Sequence, residues 1–265
     1  MVRRPGIALP LIGMLGATSW ATLWLWERSP YAAWLDHGGW AGRGTAMAIC
    51  QAVPAGNILL PALTSAGGWL LMTAAMMLPT TLPLTELFLR MVAPRKDWRA
   101  MLSLLIAGYL AVWMAFGVAV HALDAGAHAT LAYIAWLVTN GWIVAAVTFA
   151  AAGLFQFSTL KHWCLERCRS PRGFIVSHWH GISARREAFM LGVWHGLFCL
   201  GCCWALMLVV FALGMSNFGW MLLFGSVMAV EKNMSWGHRV SAPLGIALML
   251  GSAAIAAAGL GAWHG

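Results

Sequence analysis

Four side chains able to hold a soft metal ion, His195, Cys199, Cys202 and Cys203, lie within one long apolar stretch, Glu187 to Gly214. At about 100° per residue they fall within roughly a third of a helix circumference. Thiolate and imidazole suit Cu(I), zinc and iron, whereas hard cations want oxygen. An ionisable side chain at membrane depth is costly and marks a functional site by default. The competing explanation is packing. Gly192 and Gly196 share the same arc as a small-xxx-small pair, and a cysteine at such a contact can act as a small hydrophobe.

Three other stretches carry soft ligands. Between Asn217 and Val230 a shorter apolar segment places Asn217, Met221, Met228 and the following Glu231 on one helical face. Thioether sulfur suits Cu(I), and Glu231 could serve as a ligand, a proton acceptor or a partner for Lys232. Met72, Met76 and Met77 precede Pro79, which should kink its helix and free a backbone carbonyl. Cys164 and Cys168 lie four apart in a basic stretch, so a helical turn would point both thiols the same way. Lys161, Arg167 and Arg169 would favour their thiolate forms. That spacing is not the CxxC of thioredoxin-like or zinc-ribbon sites.

These ligands need elements to hold them, and composition says what kind. Of 265 residues, 61% are hydrophobic and 9% charged, against about a quarter charged in soluble domains. The chain therefore reads as an all-α, polytopic membrane helix bundle, a single transmembrane domain over residues 1–265. Seven spans are expected. They run from about Ile7 to Trp26, Gly67 to Leu89, Ala100 to Val120, Leu131 to Phe157, Glu187 to Gly214, Asn217 to Val230 and Ser241 to Ala262. Residues 27–65 form an external loop, His121 to His128 a short loop, and 158–186 a cytoplasmic loop.

With the amino terminus inside and the carboxyl terminus outside, all of the 16 Lys and Arg except Arg28 and Arg43 fall on the cytoplasmic side. That distribution satisfies the positive-inside rule. The net charge of +8 thus reports orientation in a bacterial inner membrane, and no nucleic-acid partner is expected. The first span reads as retained rather than as a signal peptide. Cys50 would lie outside and the six cysteines make no disulfide framework. There is no internal repeat and no nucleotide-binding loop.

The chain also resembles a bacterial family of predicted metal-binding integral membrane proteins, grouped as a domain of unknown function. The residues that carry the likeness are Phe155-Gln156, Lys161, Cys164 and Cys168-Arg169-x-Pro171, then Gly201-Cys202-Cys203-Trp204-x-x-Met207. Gly214-Met215-x-Asn217, Met221, Glu231-Lys232 and an early Met76-Met77-x-Pro79 extend it over about Met72 to Lys232. The resemblance implies metal binding and brings in Cys164, Cys168, Cys202, Cys203, Met207, Glu231 and Lys232. It names neither ion nor reaction. His195 and Cys199 rest on helix geometry alone.

The expected function is the handling or transfer of a soft ion, Cu(I) foremost, with zinc and iron the other ions such ligands suit. The partners expected are the lipid bilayer and an external or periplasmic metalloprotein. Two alternatives stand beside it. One is a membrane thiol or metal-centre oxidoreductase, against which the strain of a vicinal Cys202-Cys203 disulfide weighs. The other is a structural or assembly subunit whose Cys and Gly residues only pack helices.

Overall fold

A computed structural model describes residues 8–29, 59–131, 140–213 and 217–261. Cys50, the first seven residues and most of the expected external loop lie outside the described residues. Among the described residues the chain is helical throughout, with no strands. The helices are α1 (Ala8–Glu27), α2 (Leu59–Met76), α3 (Leu82–Val92), α4 (Trp98–Leu131) and α5 (Trp142–Phe155). Then follow α6 (Thr159–Arg169), α7 (Pro171–His178), α8 (Ala184–Leu213), α9 (Phe218–Asn233) and α10 (Ser241–Gly261).

Among the described residues four stretches, in α1, α4, α8 and in α10 with the 3-10 turn Gly237–Val240 before it, are long and apolar enough to cross a membrane, or up to six if two bent pairs each count as one. The bends are 46° between α2 and α3 and 64° between α5 and α6. At 1.5 Å per residue, α8 is about 45 Å long and exceeds a hydrocarbon core of about 30 Å. The 16 residues of α9 reach only about 24 Å, so the expected sixth span is a short one.

The first bend falls where proline chemistry puts it. Pro79 lies in the short 3-10 turn Leu78–Thr81, where its ring cannot continue the α-helical ladder. The Met77 carbonyl instead accepts from the Thr80 backbone N–H at 3.1 Å and the Thr80 hydroxyl at 2.7 Å. Two expected boundaries move. Helix α2 starts at Leu59, inside the expected external loop, with Pro61 in a first turn that lacks internal N–H partners anyway. Helix α4 runs unbroken through His121 to His128, because Ala122, Ala125, Ala127 and Ala129 make a strong helix-forming run.

The bundle is centred on α4 against α8. A Cβ on Gly192 would collide with the Leu105 carbonyl, and one on Gly108 with the Phe189 carbonyl. The packing role expected of Gly192 is therefore real, and it brings two backbones into direct contact. Gly196 closes on the Val112 side chain. Helix α8 begins on a self-made cap: the Glu187 carboxylate accepts from the backbone N–H groups of His180, Gly181, Ile182 and Ser183 at 2.7–3.0 Å. It ties down the turn that leads into the helix.

Helices α6 and α7 occupy the expected cytoplasmic loop. Ser158 caps α6 by accepting from the Lys161 N–H at 3.1 Å, and Pro171 opens α7. Helix α6 packs along α8, so Cys164 is buried against Gly201 and Cys168 is half-buried. The stretch that looked most like a solvated loop is a lid on the bundle.

Candidate functional site

Helix α8 presents its thiols inward as the sequence spacing requires: Cys199, Cys202 and Cys203 are all buried. Cys202 and Cys203 donate to the Cys199 carbonyl at 3.1 and 2.9 Å, across one helical turn. Two other elements reach this turn. From the kink, the Met77 thioether lies 3.7 Å from the Cys203 sulfur. From α4, the Tyr109 hydroxyl lies 3.0 Å from the Cys199 sulfur and 3.4 Å from the Met77 carbonyl.

At the centre of these groups is an amine. Lys232 on α9 places its Nζ 2.9 Å from the Cys199 sulfur, 3.5 Å from the Met77 sulfur and 3.6 Å from the Cys203 sulfur. A lysine head has three donors and no acceptor, and here it is ringed by three soft acceptors. Glu231, beside it in sequence, turns the other way. Its carboxylate binds the Lys161 amine at 2.7 and 3.0 Å and accepts from the Ser241 hydroxyl at 2.7 Å. Lys161 also donates to the Gln156 side-chain oxygen. The expected partnership of Glu231 with Lys232 is thus replaced by a buried pair with Lys161.

Arg169 seals this end of α9, donating to the carbonyls of Glu231, Met234 and Ser235 at 2.7–2.9 Å, at and just past the helix end. Arg167 stacks on Trp163, 3.8 Å above its ring. Lys161, Arg167 and Arg169 are therefore directed elsewhere than at Cys164 and Cys168. Those two cysteines do point toward α8, with Cys164 buried against Gly201 and Cys168 packed against the apolar cluster that contains Cys202.

The remaining candidates divide. The His195 ring stays on the thiol face of α8 but packs between aromatic rings, 5.7 Å from Tyr109 and 5.7 Å from Phe174. Met207, Met221 and Met228 are buried in the same apolar cluster as the thiols. Of the methionines before Pro79, Met77 faces the cysteines, while Met76 packs against Gly225 of α9. Among the described residues no three His, Cys, Asp or Glu side chains are grouped to hold a metal ion. The nearest approach to a soft-metal set is instead two cysteines and a methionine.

Sequence reasoning missed Tyr109 and the placement of Lys232. Tyr109 carried a signal, a phenol in the middle of an apolar helix that needs a partner when buried.

A family match adds to this geometry. The family described as PpoB2, copper chaperone, matches residues 66–255. The chain belongs to the PpoB2 copper chaperone family. The match takes in the kink at Pro79, the five cysteines from Cys164 to Cys203 and the Glu231-Lys232 pair. No curated protein and no solved structure matches this PpoB2 chain. The family description accords with the soft-ligand chemistry expected from Cys and Met.

Proposed function

We propose that this chain is a multi-pass protein of the bacterial inner membrane that takes Cu(I) as cargo and hands it to an external metalloprotein. Seven spans, with the amino terminus inside and the carboxyl terminus outside, fit the distribution of Lys and Arg. Helix α9 serves as the short sixth span. Cys199, Cys203 and Met77 hold the ion, and Cys168 with Cys202 forms a neighbouring pair of thiols through which it passes. Cys164, Met207, Met221 and Met228 line the apolar surroundings of these sulfurs. His195 and Glu231 stay outside the ligand set.

The observation that carries this reading is the convergence of three sulfurs, two from α8 and one from the kink before Pro79, on one buried cation, in a chain of a copper chaperone family. Thiolate and thioether ligands select Cu(I) over hard cations. A purely structural role for the cysteines would not require a charged amine among them. Burying such a charge is costly unless it is compensated.

The test is copper content by elemental mass spectrometry after anaerobic loading of the full chain in detergent. Wild type is expected to retain Cu(I) near stoichiometrically and Cys199→Ala/Cys203→Ala to retain under a tenth as much. Equal retention in both would refute the assignment.

A further inference from the structure

Lys232 has no role in the reading above, yet it occupies the position that a metal held by Cys199, Cys203 and Met77 would need. Its amine sits within 2.9–3.6 Å of all three sulfurs. Among the described residues no carboxylate contacts it, because Glu231 is committed to Lys161 and Ser241. The site thus carries a cation of its own, supplied by the chain.

We infer that Lys232 is a resident cation of the copper site, a gate that leaves the three-sulfur nest when Cu(I) enters and returns to expel it. The inference rests on the copper reading proposed above. The exchange balances: Cu(I) takes the place of the ammonium, the Cys203 thiol, which donates to the Cys199 carbonyl in the resting site, gives up its proton to water as it ligates, and no electron is transferred. A buried Cys199 thiolate with no cation beside it would be costly, and the lysine head 2.9 Å away removes that cost.

The surroundings suit a side chain that moves while its helix stays still. Arg169 holds the backbone at Glu231, Met234 and Ser235, and Gly237 closes directly on the Val230 carbonyl. Lysine, by contrast, carries its charge on a flexible four-carbon stem. Helix α9 is pinned, so the exchange asks only for rotation of the lysine stem. Such a gate gives a chaperone what a permanent metal site lacks, a built-in competitor that keeps the cargo exchangeable.

The test compares wild type with Lys232→Met, each as full chain in detergent under anaerobic conditions, by titrating bound Cu(I) against bicinchoninate. The gate predicts that Lys232→Met holds Cu(I) at least tenfold more tightly, and that the gain vanishes when Cys199→Ala is added. Lys232→Gln, which removes the charge without adding a thioether ligand, must show the same gain, and it carries the test alone should the methionine variant not fold. Equal or weaker binding in the folded variants, with copper retained by wild type, would overturn the gate and leave the copper site standing. Retention of no copper by wild type or by either lysine variant would instead remove the copper reading and the gate together.

Discussion

Glu231→Leu is expected to destabilise the protein by about 3–5 kcal/mol, the cost of leaving the other half of a buried ion pair uncompensated. Lys161 is fully buried and Glu231 is 2% exposed, so water cannot take over the lost contact. The loss would fall on three elements at once, since the carboxylate joins α6 through Lys161 and α10 through Ser241. Thermal unfolding in detergent should show a clear drop in Tm. The double variant Lys161→Met/Glu231→Leu should regain much of it, because removing both charges leaves an apolar contact in place of a stranded ammonium. A single variant as stable as wild type would mean that the pair does not hold the lid on the bundle.

The second large effect is steric. Gly192→Ala places a methyl group against the Leu105 carbonyl, at the closest approach of α4 to α8. Backbone cannot yield as a flexible side chain would, so the helices must separate. Overpacking of this kind costs about 1–3 kcal/mol and more where nothing can shift. The consequence reaches the site, because α4 carries Tyr109 and α8 carries Cys199, whose groups meet at 3.0 Å. Gly192→Ala should therefore lower both Tm and copper retention, whereas alanine at Gly67, which would meet nothing within 4 Å, should change neither.

Much of this architecture was legible in the sequence because it depends on local pattern. The long helix around Cys199 follows from an unbroken apolar run, and the bend at Pro79 from the missing N–H of proline. The small-xxx-small contact of Gly192 and Gly196 was likewise readable from spacing alone. What could not be read was where the charged side chains go. Lys161 and Lys232 belong to a residue class that is almost never fully buried unless paired. Their partners lie far away in sequence, Glu231 70 residues from Lys161 and Cys199 33 residues from Lys232.

The same limit explains the candidate ligands. Helical spacing correctly put Cys199, Cys202, Cys203 and His195 on one face, but which of them face sulfur and which face aromatic rings depends on neighbouring helices. Tyr109 and Phe174 take His195, and Met77 rather than Met76 takes Cys203. Helical spacing also turned Cys164 and Cys168 to one side, but that this side packs against the bundle depends on tertiary structure.

The central claim is that copper is held by sulfur alone, by Cys199, Cys203 and Met77. X-ray absorption at the copper edge of the Cu(I)-loaded full chain tests it most directly. The account predicts a first shell of sulfur only, losing intensity in Met77→Leu and unchanged in His195→Ala. A shell containing nitrogen, lost with His195→Ala, would contradict it and return the histidine to the ligand set.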